Sequence, residues 1–224
     1  MADCSRHPAV GLFGGTFDPV HLGHLELARH VLERCRLDQV LFIPAPQPPH
    51  KDRPAVAFRD RVAMLEAALA EAGEEKRMRC SCIEADLPLP SYTVQTVEAL
   101  QKTGHGCDYF FIIGGDSLRD LPHWYRAGDL IATVNLIAVQ RDALNREAIG
   151  RILRSLDASF CYDAGAGLWR NRRGRTVTYL DDLELPVSSS GVREGLARGE
   201  VPSMLPPAVF AYIRQHHLYG WKEH

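Results

Sequence analysis

The stretch Gly11-Leu-Phe-Gly-Gly-Thr-Phe-Asp-Pro-Val-His-Leu-Gly-His24 constrains the fold more than any other part of the chain. An apolar run, Ala9 to Phe13, ends in two glycines and then opens into a helical pattern. That is a strand-to-helix turn, which calls for a sheet with a helix packed on it. Its chemistry is equally specific. Glycines let a phosphate approach the backbone, and a helix N-terminus adds N–H groups and a favourable dipole. His21 and His24, three apart, share one helix face beside that turn. A phosphate cradle with two imidazoles points to phosphate chemistry.

The rest of the chain alternates between strand-like and helix-like segments. Ala9 to Gly14 reads as a buried strand. Leu22 to Cys35 reads as a helix with a broad apolar stripe. Asp18 followed by Pro19 reads as its N-cap and first-turn proline. Strands are expected at Gln39–Ile43, Met78–Ile83, Tyr109–Ile113, Val134–Val139 and Thr176–Leu180. Helices are expected at Phe58–Ala72, Thr93–Lys102, Trp124–Ile131, Asn145–Leu156, Ser190–Arg198 and Pro207–His217. Pro44 to Pro54 is a proline-rich loop, and Asp157 to Arg175 a basic loop or hairpin. This alternation implies an α/β fold with a parallel sheet and helices on both faces. Ligands of such sheets bind outside the carboxyl ends of the strands. The Gly14-Gly15 and Gly114-Gly-Asp116 turns both end strands, so one crevice is expected between them.

Composition narrows the function classes. The chain has 224 residues and a formal net charge of -2, so neither nucleic acid nor an anionic membrane surface is an expected partner. No apolar run reaches the ~20 residues of a membrane helix. Met1 to Ala9 lacks the apolar core of a signal peptide, and a cytoplasmic protein is expected. Six cysteines are scattered along the chain. The one-residue gap between Cys80 and Cys82 suits neither zinc nor thioredoxin chemistry, and the pair is expected to share one face of a strand as reduced thiols.

Further motifs follow. The His21/His24 pair reads as phosphate donors rather than, with Asp18, a transition-metal site. Gly-Gly-Thr-Phe-Asp-Pro lacks the spacing of the dinucleotide fingerprint. Lys51, at the end of Pro48-Pro-His-Lys51, reads alone as a surface lysine that can reach a phosphate as a point charge. Ser188-Ser-Ser-Gly-Val-Arg193 gathers hydroxyls, backbone N–H groups and a guanidinium at a helix start, a second anion site. Trp124 and Tyr125 can stack on a planar ring, or simply pack in the core. The run Trp169 to Arg175 reads as a solvated hairpin tip.

Taken in order, these segments resemble a known family. Gly14 to His24 is similar to the signature of the nucleotidyltransferase superfamily that carries an H-x-G-H motif. Pro48-Pro-His-Lys51, Ser91-Tyr-Thr93, Gly114-Gly-Asp116, Trp124 and Ser188 to Arg193 then resemble those of the bacterial nicotinate mononucleotide adenylyltransferases. The resemblance runs from about Val10 to Tyr219. Threonine is usual in the family at Ser190, isoleucine at Val192, and aspartate is frequent at Gln95.

The resemblance implies one Rossmann-like nucleotidyltransferase domain over residues 1–224. It implies transfer of an adenylyl group from ATP to nicotinate mononucleotide, giving deamido-NAD and pyrophosphate in NAD biosynthesis. Mg²⁺ would be bound through the ATP phosphates. The mononucleotide phosphate would attack the α-phosphate directly, so catalysis is positioning and charge stabilisation. His21, His24 and Arg193 would be the catalytic set. Phe13, Gly14, Gly15, Ser189 and Ser190 would hold ATP. His50 and Lys51 would contact phosphate, Asp116 a ribose hydroxyl, and Trp124 the pyridine ring. Backbone N–H groups near Thr93 and Tyr125 would meet the nicotinate carboxylate. Alternatives are another small-metabolite nucleotidyltransferase, of phosphopantetheine or glycerol-phosphate type, a non-catalytic nucleotide sensor, and an RNA-linked synthetase-like enzyme. The oligomeric state is left open.

Overall fold

The computed structural model describes residues 7–47, 54–103, 106–140, 144–183 and 187–222. In chain order the elements are β1 (Ala9–Gly15), α1 (Leu22–Arg34), β2 (Gln39–Pro44), α2 (Phe58–Ala72), β3 (Met78–Cys80), α3 (Thr93–Thr103), β4 (Asp108–Gly114) and α4 (Gly115–Asp120). They continue with α5 (Ala127–Thr133), β5 (Asn135–Val139), α6 (Arg146–Leu156), β6 (Cys161–Asp163), β7 (Leu168–Arg170), β8 (Thr176–Leu180), α7 (Ser189–Ala197) and α8 (Pro207–Gln215). All strands join one sheet in the order β3-β2-β1-β4-β5-β8-β7-β6.

The first six strands of that order are parallel, from β3 to β8. This is the expected α/β architecture. Alternate residues of β1 supply the two cores, because successive side chains leave a strand on opposite faces. Phe13 packs with Leu25, Leu32, Met64, Leu196 and Ile213, under α1, α2, α7 and α8. Leu12 packs with Val97, Leu118, Ile131 and Leu153, under α3 to α6. Helices therefore cover both faces, as the near-continuous apolar runs of the parallel strands require.

β1 is the switch point of the strand order. Its one neighbour, β2, follows directly in sequence, and its other, β4, comes back from the far side of the sheet. Phe13 lies beside Ile112 in register, so Gly14-Gly15 and Gly114-Gly115 leave adjacent strand ends. The two strand ends expected to border one crevice thus lie side by side.

Four local expectations are corrected. β3 ends at Cys80, not Ile83. Beyond Ser81, whose N–H still reaches the Phe42 carbonyl at 2.8 Å, the chain folds into a 3₁₀ turn at Ile83–Asp86. That turn buries Glu84, whose carboxylate accepts from Ser91 Oγ at 2.9 Å and Thr96 Oγ1 at 2.7 Å. Cys80 and Cys82 consequently do not share a strand face. Second, Gly114-Gly-Asp116 is not an open turn, because Gly114 caps α4 and Asp116 lies in its first turn. Third, no helix starts at Trp124, which ends the 3₁₀ turn Leu121–His123, and α5 begins at Ala127. Fourth, the basic segment is a hairpin, but it extends the sheet instead of hanging free. β6 and β7 pair antiparallel, β7 pairs with β8, and Trp169 is buried in the core.

Among the described residues no helix is long and apolar enough to cross a membrane.

The displaced Cys82 gives a direct test. Cys82 is exposed, whereas burial, and secondarily the neighbouring Cys82 thiol, pushes Cys80 up to about 12. Only the thiolate is nucleophilic. Iodoacetamide at pH 8 is expected to alkylate Cys82 well before Cys80, read by peptide mass spectrometry. Equal rates at both positions would contradict this placement.

Candidate active site

The turn from Gly15 to Val20 positions the site. Phe17 holds a left-handed backbone, φ 49°, which costs a non-glycine residue about 1–3 kcal/mol. Packing keeps it there. Its ring meets Phe13 at 5.5 Å, Phe42 at 5.6 Å and His24 at 5.1 Å, each between ring centroids. It also lies over Gly15, where a Cβ would come within 2.9 Å of the ring. Gly15 is therefore glycine for the sake of Phe17. At Gly14 a Cβ would meet only Phe111, at 3.6 Å, an ordinary contact. The Phe13 side chain is core, between Phe17 and Phe42.

The N-cap of α1 is His21, not Asp18. The helix starts at Leu22 as expected, and the Leu22 N–H, which has no partner within the helix, goes to the Met204 carbonyl at 2.8 Å. His24 N–H is also taken, by the His21 carbonyl at 2.9 Å. Two of the first three helical N–H groups are thus spent inside the chain, which weakens the expected backbone cradle at this helix start. The imidazoles become the prominent donors. Their rings stack, centroids 3.7 Å apart at 27°. His24 Nδ1 accepts from the His21 N–H at 3.2 Å. With Nδ1 an acceptor, the proton of a neutral ring sits on Nε2, and His24 becomes a donor there.

Gly23 makes this stack possible. A Cβ at Gly23 would sit 2.5 Å from Val187 Cγ1 and 3.2 Å from His21 Nδ1. The H-x-G-H glycine is a packing requirement set first by Val187, ahead of α7, and second by the His21 ring.

Asp18, expected as a cap, is instead a buried hub at 4% exposure. Its Oδ2 accepts from Ala55 N at 2.6 Å and its Oδ1 from Tyr219 Oη at 2.7 Å. Its main-chain carbonyl accepts from Arg193 Nη1 at 2.7 Å. Ser189 Oγ donates to the next carbonyl, Pro19, at 3.0 Å. Arg193 Nη2 donates to Ser190 Oγ at 3.1 Å, and Ser188 caps α7 by accepting from Gly191 N at 3.2 Å. The three serines thus have three different jobs: one caps the helix, one docks it and one holds its arginine. The serine-arginine segment lies directly against the turn that leads into His21 and His24.

Arg61 has no counterpart in the sequence reading. It is 0% exposed, and its guanidinium donates to the Thr16 carbonyl at 2.6 Å and the Pro46 carbonyl at 3.1 Å. It therefore ties the turn after β1 to the turn after β2. Burial pulls its guanidinium below the usual arginine range, and the Asp18 carboxylate opposes that shift. Its position, three after Phe58 and four before Leu65, lies on the apolar side of the helical pattern, so a charge at a core position was the signal that could have found it. Glu84 follows directly on the expected strand and is also given no role. Burial pushes its carboxyl up, and the Thr96 and Ser91 hydroxyls oppose that shift.

The other wall comes from α3 and the β4–α5 connection. Thr93 is the first residue of α3. Gln95 Oε1 accepts from Tyr92 N at 3.1 Å, pinning the helix start. Trp124 is half-buried, its ring edge-on to Phe111 at 6.2 Å. Tyr125 is 52% exposed and lies against Tyr92 at 4.6 Å. Arg126 braces the wall, with Nη2 2.9 Å from Glu98 Oε1 and Nε 2.6 Å from Asp129 Oδ2. Asp116 is exposed on the first turn of α4. The structure thus brings Gly14, Gly15, His21, His24, Ser189, Ser190 and Arg193 into one cluster. Asp116 belongs to the adjoining strand end, and Thr93, Trp124 and Tyr125 to the second wall. His50 and Lys51, with Pro48-Pro49, lie outside the described residues.

This arrangement has relatives. The cytidylyltransferase-like family matches residues 12–195. A probable nicotinate-nucleotide adenylyltransferase from Synechococcus sp. (strain JA-3-3Ab) is 38% identical over 94% of this chain and 94% of its own length. The chain belongs to the nicotinate-nucleotide adenylyltransferase family. A second relative of the same description, from Gloeobacter violaceus, is 39% identical over 94% of this chain and 95% of its own. Among solved structures, Plasmodium falciparum nicotinic acid mononucleotide adenylyltransferase complexed with NaAD has the same fold. It superposes with a TM-score of 0.71 at 15% identity, covering 96% of this chain and 99% of its own. A putative nicotinate-nucleotide adenylyltransferase from Vibrio parahaemolyticus gives 0.62 at 18% identity, covering 96% of this chain and 97% of its own.

The family's H-x-G-H glycine can be tested without turnover. Gly23→Ala is expected to lower stability by about 1–3 kcal/mol, the usual cost of overpacking. It is also expected to part the stacked rings. A fall in Tm together with displaced His21 and His24 imidazole resonances would show both, and an unchanged Tm would refute the packing role.

Proposed function

We infer that the cluster around His21, His24 and Arg193 performs the family's reaction, transfer of the adenylyl group of ATP to nicotinate mononucleotide with release of pyrophosphate. The product is deamido-NAD, a step of NAD biosynthesis. The observation that carries the reading is the docking of α7 onto the Asp18–Pro19 turn. It puts a guanidinium and two imidazoles at the carboxyl end of β1, one strand away from the Trp124 wall. The reading extends to the whole chain as one nucleotidyltransferase domain.

In this reading the triphosphate lies between α1 and α7. An oxygen of the mononucleotide phosphate attacks the α-phosphorus in line, and the bridging oxygen leaves with the pyrophosphate. Negative charge grows on the leaving group. His24 donates from Nε2, and His21 and Arg193 add further donors, so the charge meets groups already in place. The Gly14-Gly15 turn gives phosphate a close approach to the main chain. Ser190 steadies Arg193 in addition to contacting nucleotide. Asp116 takes hydrogen bonds from a ribose hydroxyl.

Imidazoles and guanidinium suit phosphate oxygens, whereas Mg²⁺ takes oxygen ligands. The donors gathered here therefore fit a nucleotide that brings its own ion, held by the ATP phosphates that His21, His24 and Arg193 bind. Bound in that way, Mg²⁺ supplies neutralisation of charge on the departing pyrophosphate.

Trp124 stacks on the pyridine ring, with Tyr125 and the start of α3 at Thr93 aiming backbone N–H groups at the carboxylate. Such donors favour acid over amide, since an amide satisfies them only in part. His50 and Lys51 belong to the same proposal as phosphate contacts.

The deciding assay is pyrophosphate release from ATP and Mg²⁺, comparing nicotinate mononucleotide, nicotinamide mononucleotide and phosphopantetheine. Release with the nicotinate form alone is expected, and release with none would overturn the reading. His24→Ala is expected to lower kcat/KM by on the order of a hundredfold, equal to ~3 kcal/mol of transition-state stabilisation. Near-normal turnover would remove His24 from the mechanism. Trp124→Ala should weaken mononucleotide binding and spare ATP binding, so an equal loss of both in calorimetry would refute the stacking role.

A further inference from the structure

The C-terminal segment folds back to the candidate site along a constrained path. After α8, the 3₁₀ turn Leu218–Gly220 carries Tyr219. His217 at φ 51°, Tyr219 at φ 56° and Gly220 at φ 71° all lie in the left-handed region. Two of these are non-glycine residues, whose backbone pays for that conformation unless contacts over-determine it. The contacts exist. Trp221 packs edge-on against Phe210 at 4.9 Å, and the turn lies against α7. The outcome of the strained path is a single polar contact. Tyr219 Oη donates to Asp18 Oδ1 at 2.7 Å, across 201 residues of sequence.

Asp18 is held and holding at once. Its carboxylate is fixed by Tyr219 and by Ala55 N, while its carbonyl receives Arg193. The carbonyl that receives Ser189 is the next one along. A movement of the Asp18 side chain therefore moves the two acceptors on which α7 is docked. Burial and the Asp18 carboxylate both raise the Tyr219 hydroxyl far above its usual range, so it remains a donor at every working pH. Arg193 and Arg61 are the cationic neighbours of the same hydroxyl.

We propose that Tyr219 is a positioning residue for adenylyl transfer: by holding the Asp18 carboxylate, it sets the placement of Arg193 relative to the His21/His24 pair. It touches neither substrate. Its effect belongs to the triphosphate side and passes through Arg193. The mononucleotide wall at Trp124 is built from other elements and does not share the contact. The proposal rests on the adenylyl-transfer reading above.

The test is steady-state kinetics of Tyr219→Phe, which deletes one hydroxyl and keeps the ring. A matched control is available in Tyr212→Phe. Tyr212 lies on α8 and donates to Asp60 Oδ1 at 3.1 Å, so it ties the C-terminal region to α2 without reaching the Asp18 turn. Tyr219→Phe is expected to lower kcat/KM for ATP at least tenfold, with KM for nicotinate mononucleotide changed less than twofold. Tyr212→Phe is expected to lower Tm to a similar extent and leave both parameters unchanged. In an Arg193→Lys background the effect of Tyr219→Phe should shrink below threefold, because the group it positions is already altered.

Unchanged kcat/KM for ATP in Tyr219→Phe would overturn the proposal. So would equal losses in the two tyrosine variants, or full additivity with Arg193→Lys. If Tyr219→Phe does not fold, Asp18→Asn loosens the same hub from its other side and must show the same selective loss for ATP. An inactive wild-type chain would count against the adenylyl-transfer reading, whereas an active wild type with an unaffected Tyr219→Phe would count against this proposal alone.

Discussion

Arg61 is a fully buried arginine on which the turn after β1 depends. Removing such a group from water costs several kcal/mol unless its donors are satisfied. Here they go to two main-chain carbonyls, Thr16 and Pro46, which lie on turns after adjacent strands. The buried Asp18 carboxylate supplies the opposite charge nearby. A neutral side chain of the same size would leave both carbonyls without donors, and a lysine has no planar fork with which to span two acceptors. The guanidinium thus fixes the spacing between two loop roots that the parallel sheet by itself leaves unspecified. The Phe17 strain and the docking of α7 both occur on the turn it holds.

The cluster that results differs in kind from a glycine-loop phosphate cradle. In such a cradle main-chain N–H groups do the binding. Here the first and third N–H groups of α1 are already engaged, by Met204 and by His21. Side-chain donors take their place, and side chains need a means of being aimed. The stacked imidazoles aim each other, Gly23 leaves them room, and Ser190 and Asp18 aim Arg193. The site is polar and close-packed, which is why single atoms, such as the Cβ missing from Gly23, matter to it.

Much of this was legible in the sequence. The α/β class followed from apolar runs alternating with amphipathic stretches, and α2 matched at both ends because Phe58 to Ala72 is an unbroken helical pattern closed by Gly73. The motifs singled out in the sequence also come together, with Ser189 and Arg193 bonded to the turn that leads into His21 and His24. What escaped notice depended on burial or on distance along the chain. Arg61 and Glu84 received no role, since their partners, Thr16 and Pro46 for the one and Ser91 and Thr96 for the other, are supplied only by the tertiary fold. Asp18 read as a cap because Asp-Pro before a helix satisfies a local rule, and its true partners lie 37 and 201 residues away. Gly114-Gly-Asp116 read as a turn because two glycines disfavour a helix, yet Gly114 serves α4 as its cap. The basic hairpin lacked strand patterning because its strands are only three residues long.

The position of β1 in the sheet also shapes how the chain can be made. One edge of β1 pairs with β2, which follows about 30 residues later, but the other pairs with β4, which begins at Asp108. Contacts across such separations form slowly, because loop entropy is lost before pairing compensates for it. During synthesis β1 and β2 can meet early and then present the apolar Val10–Leu12 edge with unpaired main-chain groups until β4 emerges. An exposed edge of that kind is where chains associate wrongly. The seam between β1 and β4, which borders the candidate site, is therefore where the half-built chain is most exposed to wrong association.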